Sequence, residues 1–130
     1  MTNKELLQAA RDACRHSYSP YSHFAVGCAL ITNQNQLYTG CNIENASYGA
    51  TMCAERVAIF KCISEGHLDI DKIAVVSENG SYAYPCGMCR QVMWEFMPDG
   101  SVVLEDDTEG IKEITVKELL PDAFLLEKHE

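Results

Sequence analysis

The chain has 130 residues, of which 47% are hydrophobic and 22% are charged, enough to bury the core of one domain of ordinary size. Nineteen acidic residues against ten basic ones give a net charge of −9 at pH 7, so we expect no nucleic-acid partner, which would require a basic face. The sequence opens without an apolar secretory stretch and has no run of ~18 apolar residues, so we expect a cytoplasmic protein with no membrane partner.

The first predicted element is an amphipathic helix. The segment from Thr2 to Glu5 has the form of a capping box, in which two side chains bond to main-chain amides at a helix start. Apolar residues then recur at helical spacing until Ser19 and Pro20 end the pattern. These apolar residues are Leu6, Ala10, Ala13 and Cys14.

A hairpin follows this helix. Residues 24–31 are apolar without alternation, as in a strand that is covered on both faces. A polar turn over residues 32–36 joins them to a second strand, Leu37 to Cys41. The hairpin therefore ends immediately before Asn42 and Glu44.

Helices and strands alternate through the rest of the chain. The predicted helices are 52–64, 87–97 and 116–120, and the predicted strands are 73–76, 102–104 and 111–114. This order predicts an α/β fold, a three-layer α/β/α sandwich with a five-stranded mixed sheet that contains both a hairpin and parallel strands. No linker or repeat interrupts the pattern, so we expect residues 1–130 to form a single domain.

Three cysteines lie where two of these helices begin. Cys53 precedes the second helix, while Cys86 and Cys89 surround the start of the third, and both segments follow strands. Ligands of open α/β sheets gather at such junctions. A helix start carries partial positive charge and unpaired amides, which stabilise a thiolate. Three protein ligands leave the fourth position of a tetrahedral zinc site open, as in hydrolytic zinc sites.

Two neighbours of Cys53 complete this predicted metal centre. Glu55 does not share the helical face of Cys53, so it stands beside the metal, where a general acid/base is needed. Arg56 shares that face, and its guanidinium offsets the net negative charge of a dication held by three thiolates. The alternatives are a first-turn glutamate that interacts with the helix dipole and an exposed salt bridge for Arg56.

The segments Cys53-Ala54-Glu55 and Pro85-Cys86-Gly87-Met88-Cys89 match the known signature of zinc-dependent deaminases. The sequence resembles the cytidine deaminase family, in its short homotetrameric branch with three cysteine ligands. Further resemblance lies in Pro20 to Phe24, in Gly40 to Tyr48, and in Glu118 to Pro121 followed by Phe124, so it covers nearly the whole chain.

The resemblance implies a reaction and its cofactor. One zinc ion per subunit activates a water that attacks the cytosine carbon bearing the amino group, and Glu55 transfers the protons. Free cytidine and deoxycytidine are thereby converted to uridine and deoxyuridine plus ammonia, a step of pyrimidine salvage. A deaminase of a related cytosine nucleoside, such as blasticidin S, is the alternative within the family.

The resemblance also implies substrate contacts and an oligomer. Asn42 and Glu44 hold the ribose hydroxyls, Phe24 lines the pyrimidine pocket, and the main chain of Ala54 contacts the base edge. Tyr48 and Phe124 reach the site of a neighbouring subunit in a homotetramer. The implied substrate-binding residues are Phe24, Asn42, Ile43, Glu44, Tyr48, Ala54 and Phe124.

Two other classes of protein are compatible with part of the pattern. A binding module with a structural zinc ion needs a fourth protein ligand, but Cys62 lies too far around the helix from Cys53 to converge, and His67 would require the helix to end early and fold back. A dithiol redox protein uses a Cys-x-x-Cys segment such as Cys86 to Cys89 and holds no zinc. Cys14, Cys28, Cys41 and Cys62 are interpreted as apolar packing residues.

Overall fold

The computed structural model describes residues 1–128, which form four α-helices and five strands. The helices are α1 (Asn3–Cys14), α2 (Ala54–Ser64), α3 (Gly87–Phe96) and α4 (Val116–Leu119). The strands are β1 (Val26–Thr32), β2 (Leu37–Cys41), β3 (Ile70–Ser77), β4 (Ser101–Asp106) and β5 (Gly110–Thr115). None of the helices in the described part of the chain has the length and apolar character that a membrane span requires.

One mixed sheet contains all five strands, in the order β2-β1-β3-β4-β5. The β1–β2, β1–β3 and β4–β5 pairs are antiparallel, and β3 and β4 are parallel. Helix α3 makes the crossover that a parallel pair needs. The predicted mixed sheet with a hairpin is therefore confirmed.

Both faces of this sheet are covered by helices. Ile73 and Val75 of β3 belong to a core cluster that includes residues of α2 and α3. The alternating residues Ala74 and Val76 pack instead in a second cluster with α1. Because successive strand residues point to opposite faces, α1 covers one side and the other helices cover the opposite side. The predicted three-layer sandwich is confirmed.

Helix α1 ends earlier than its sequence pattern predicts. It has the predicted capping box between Thr2 and Glu5, but it stops at Cys14 rather than continuing towards Ser19. The chain instead turns to pair with the segment after β2: Tyr18 N donates to Asn42 O at 3.0 Å. These long-range contacts end the helix, and nothing in its local sequence indicates them.

Helix α2 begins two residues later than predicted because Met52 is used elsewhere. Its amide donates to Ile43 O, and Ile43 N donates to Met52 O, both at 2.9 Å. This antiparallel bridge holds the loop before α2 against the segment after β2. As a result, Cys53 becomes the residue that caps the helix.

Gly40 allows the start of α2 to lie directly on β2. A Cβ atom at Gly40 would stand 2.5 Å from Ala54 O and 2.7 Å from Ala58 N, distances that real Cβ atoms do not reach. The absence of a side chain therefore lets the helix approach the hairpin closely. Gly40 in this way sets the position of the helix that carries Cys53 and Glu55.

Candidate metal centre and active site

The three predicted ligands lie at two helix N-termini, next to each other. Cys53 caps α2 and Cys86 caps α3, each with extended backbone and without a side-chain bond to its own helix. Cys89 follows in the first turn of α3 and is buried. The sulfur atoms of all three residues lie within 4.8 Å of one another. Neither sulfur forms a hydrogen bond with the amides of its own helix, so both are available to a shared ligand.

This cluster fits a zinc ion with one open position. The sulfur atoms of Cys53 and Cys86 are 3.8 Å apart. Two thiolates bound to one tetrahedral zinc ion at ~2.3 Å stand about 3.8 Å apart, so this pair already has the required spacing. Within residues 1–128, no fourth cysteine, histidine, aspartate or glutamate joins the cluster.

The two candidates for a fourth ligand lie elsewhere. Cys62 is fully buried in the core, and its thiol donates to the carbonyl oxygen of His67 at 3.4 Å. Neither residue belongs to the thiol cluster. The described residues thus lack the closed four-ligand site that a structural zinc ion requires.

Arg56 contacts the cluster directly. Its Nη2 atom donates to Cys53 Sγ at 3.4 Å, as the shared helical face predicts. Its Nε atom is buried and finds no hydrogen-bond partner within the described residues. The guanidinium therefore lies against the sulfur atoms and not in an exposed salt bridge.

The chemistry of Cys53 reflects these neighbours. Hydrogen bonds from the Cys89 thiol and from Arg56 lower the pKa of Cys53 to about 5. The contact with Cys53, together with burial, raises the pKa of Cys89. The surroundings thus favour negative charge on the Cys53 sulfur beside a fixed cation, which is the state a metal ligand needs.

Glu55 stands beside the thiols in a buried position. Its side chain is 5% exposed, and this burial raises the pKa of its carboxyl group to about 7. It is absent from the group of metal-ligand atoms, in agreement with the two-residue offset from Cys53. A carboxyl group in this state can both accept and donate a proton near neutral pH.

A cavity of about 230 Å³ opens next to Glu55 and the thiols. It contains three predicted site residues besides those of the metal centre, namely Phe24, Asn42 and Ala54. The residues that complete its wall are Val26, Thr51, Val75, Ala83 and Tyr84. Tyr84 was not among the predicted site residues, although its position directly before Pro85 and Cys86 is a signal for it.

Asn42 fixes one wall of the cavity. Its Nδ2 atom donates to Phe24 O at 2.8 Å, and its Oδ1 atom accepts from Val26 N at 2.9 Å. The side chain therefore bridges the end of β2 and the segment that carries Phe24. Asn42 positions Phe24 in addition to its predicted contact with a ribose hydroxyl.

Glu44 lies in an adjoining cleft of about 330 Å³, which shares Thr51 with the first cavity. One carboxylate oxygen accepts from the amides of Tyr21 and Ser22, and the other accepts from the Ser22 hydroxyl. The hydrogen bonds from Ser22 lower the pKa of Glu44, so it is held as an anion. Tyr48 borders the same cleft and is 76% exposed.

Two predicted contact residues lie away from the cavity. The Ile43 side chain lines a separate cleft near α1, and its amide and carbonyl are used in the bridge to Met52. Phe124 lies in the C-terminal tail and is 69% exposed. Within one chain, the cavity thus receives neither of these two side chains.

Comparisons with known proteins agree with this geometry. Residues 1–105 match the family model for the cytidine and deoxycytidylate deaminase zinc-binding region. A cytidine deaminase from Halalkalibacterium halodurans is 48% identical over 128 residues, covering 98% of this chain and 97% of that protein. The crystal structure of cytidine deaminase from Burkholderia pseudomallei superposes with a TM-score of 0.90 at 45% identity, covering 95% of this chain and 100% of the other.

The chain belongs to the cytidine and deoxycytidylate deaminase family. A blasticidin-S deaminase from Bacillus cereus is more distant, at 31% identity over 125 residues, with 90% of this chain covered. Membership in the family removes the dithiol redox class, which the Cys86-to-Cys89 segment alone left open.

Proposed function

We propose that this protein hydrolyses free cytidine and deoxycytidine to uridine and deoxyuridine with release of ammonia, as a step of pyrimidine salvage. One observation carries the proposal: two thiols of the three-cysteine cluster, Cys53 and Cys86, and the buried carboxyl group of Glu55 border the same cavity. The names of the similar proteins support the same substrate class.

Cys53, Cys86 and Cys89 are proposed to hold one zinc ion per subunit. When bound, the ion supplies a nucleophile by lowering the pKa of a water molecule. Arg56 donates to Cys53 Sγ and so withdraws negative charge from the thiolate ligands. This assistance matters because three thiolates outweigh the charge of the dication.

Glu55 is proposed to carry the protons of the reaction. It accepts a proton from the attacking water and delivers it to the ring nitrogen beside the amino-bearing carbon. It then takes the remaining proton from the oxygen that was added to the carbon and passes it to the amino nitrogen, so that the carbon–oxygen double bond forms, the carbon–nitrogen bond breaks and ammonia leaves. Cytidine and water are consumed, and uridine and ammonia are formed.

The substrate is proposed to bind with its base between Phe24 and the start of α2. Ala54 is the first residue of that helix, so its amide has no partner within the helix and is free to contact the base. Asn42 and Glu44 are proposed to bind the sugar, with Ile43 between them. A carboxylate at the sugar favours a neutral nucleoside over a nucleotide, because two nearby anions repel.

The functional unit is proposed to be a homotetramer of one-domain chains in the cytoplasm, where zinc-binding thiols stay reduced. Phe124 and Tyr48 are largely exposed in one chain. The next two residues after Phe124, Leu125 and Leu126, are exposed as well. Burial of such apolar side chains against a second copy is favourable. These contacts are proposed to complete a neighbouring site.

A substrate panel tests the proposal. Ammonia release is measured with cytidine, deoxycytidine, cytidine 5′-phosphate and blasticidin S at equal concentrations. The two nucleosides are expected to react, and the phosphate ester is expected to react far more slowly because of Glu44. Preferential turnover of blasticidin S would replace the proposed substrate by the alternative one, and no turnover of any compound would reject the proposal.

A further inference from the structure

Helix α3 binds main-chain carbonyl groups with three of its side chains. Gln91 Nε2 donates to Phe124 O and Trp94 Nε1 donates to Leu120 O, each at 2.6 Å. Both bonds hold only the C-terminal tail. Arg90 differs from them because it bonds to two separate parts of the chain.

Arg90 holds the tail and the metal-binding loop at the same time. Its Nη1 atom donates to Leu119 O at 2.7 Å, at the end of α4. Its Nε atom donates to Pro85 O at 2.8 Å, the carbonyl that directly precedes Cys86. The amide of Arg90 donates to Cys86 O at 3.0 Å. One residue therefore binds the carbonyl groups on both sides of Cys86.

Cys86 depends on such main-chain support. Its side chain makes no capping bond to α3, so the direction of its sulfur follows from the backbone around it. Pro85 and Leu119 are both buried, so their carbonyl groups need protein partners. The rigid, planar guanidinium links these two carbonyls in a fixed relative position.

We propose that Arg90 is a positioning residue that couples the zinc-binding loop to the C-terminal tail. It fixes the Cys86 sulfur for the metal and anchors the segment that leads to Phe124. The inference rests on the proposed zinc site, and it adds a link between metal retention and tail position. Loss of the Arg90 side chain is therefore expected both to loosen the tail and to weaken the binding of zinc.

The test measures zinc release to an excess of a coloured chelator from the zinc-loaded full chain. Arg90→Gln is expected to release zinc ~10–100-fold faster than the wild type, the range seen when groups that orient metal ligands are lost. Arg90→Lys reaches one carbonyl but not both, so an intermediate rate is expected. Trp94→Phe is the matched control, because it loses a bond to the tail and none to the loop.

Hydrogen exchange of residues 119–124 is measured on the same zinc-loaded samples. Faster exchange is expected in both Arg90→Gln and Trp94→Phe, whereas only Arg90→Gln is expected to release zinc faster. Equal zinc-release rates in Arg90→Gln and the wild type would overturn the proposal. So would acceleration of equal size in Trp94→Phe, which would indicate a general loss of stability. Neither readout uses a nucleoside, so these results stand even if the wild type fails to deaminate cytidine.

Discussion

The Arg56 side chain donates to the sulfur of one proposed zinc ligand and leaves its Nε atom buried without a partner in the described residues. A buried donor without a hydrogen-bond partner destabilises the fold, so its presence calls for a functional explanation. Here the positive charge lies beside three thiols in a half-buried setting, where screening by water is weakened. The side chain thus offsets the negative charge that the ligands bring to the metal centre.

Replacement of Arg56 by alanine tests this role. Arg56→Ala is expected to fold and to deaminate cytidine ~10–100-fold more slowly or to lose zinc at a comparably higher rate, the effect typical of groups that support metal ligands. Arg15→Ala is the control, since Arg15 forms a surface ion pair with Asp12 and, within residues 1–128, none with the thiol cluster. Wild-type turnover and wild-type zinc content in Arg56→Ala would contradict the role.

At the scale of residues, the sequence predicts which side chains gather at the metal centre better than it predicts the contacts that surround them. The spacing of Cys53, Cys86 and Cys89 predicted their cluster, and the offset of Glu55 predicted that it stands outside that cluster. Tyr84 was missed, although it directly precedes Pro85, because it reaches the cavity through the course of its loop, which neither helical nor strand periodicity predicts. The bonds from Asn42 to the segment around Phe24 connect residues 16 and 18 positions apart, and the pattern of side chains does not indicate them.

At the scale of elements, the close contact between α2 and β2 determines where the start of α2 lies relative to the hairpin. The two elements approach so closely at Gly40 that a Cβ atom there would stand 2.5 Å from Ala54 O. Ala54 lies between Cys53 and Glu55, so a shift of the helix start moves both residues. The hairpin therefore positions the proposed metal ligand and the proposed acid/base together.

A methyl group at Gly40 is expected to disturb this contact. Gly40→Ala should lower the free energy of unfolding by ~1–3 kcal/mol, as overpacking does, and should reduce turnover by displacing the helix start. Urea unfolding and ammonia release measure the two effects. Gly49→Ala is the matched control, since a Cβ at Gly49 meets no atom within 4 Å. Equal stability and equal turnover in the two variants would show that β2 does not constrain α2.

Local pattern predicted which elements exist, and long-range contacts decided their ends. The apolar runs indicated every strand, but β3 extends from Ile70 to Ser77, beyond the predicted 73–76, because neighbouring strands pair along its length. The position of β1, between β2 and β3, also depends on pairing that the chain order leaves open. Tertiary contacts override local preference at such places.

At the scale of the whole molecule, the exposed Phe124 bears on the proposed homotetramer, in which each site receives residues from a neighbouring chain. Phe124 is absent from the cavity of its own chain, although the family resemblance assigns it to substrate binding. Its carbonyl accepts from Gln91 Nε2, so the main chain at Phe124 is held against α3 while the side chain stays exposed. A site shared between copies accounts for both observations.

Co-expression of two impaired variants tests this sharing. Glu55→Gln lacks the acid/base but supplies Phe124, and Phe124→Ala lacks the tail contact but keeps Glu55. Their mixed oligomers are expected to release more ammonia than the two variants do separately, because some sites receive both residues. A mixture of Glu55→Gln with Cys86→Ser is the control, since both defects lie within one chain's metal centre. Mixed oligomers without any gain would contradict a site completed by a neighbour.

The central claim is that a three-thiolate zinc centre works together with Glu55 on a cytosine nucleoside. The most direct measurement determines zinc content and ammonia release from cytidine in the wild type and in Glu55→Gln. We predict one zinc ion per chain in both proteins, and turnover in the variant lower by several orders of magnitude, since a general acid/base alone contributes ~10²–10⁴-fold. Substantial turnover in Glu55→Gln, or a wild type that deaminates cytidine without bound zinc, would contradict the account.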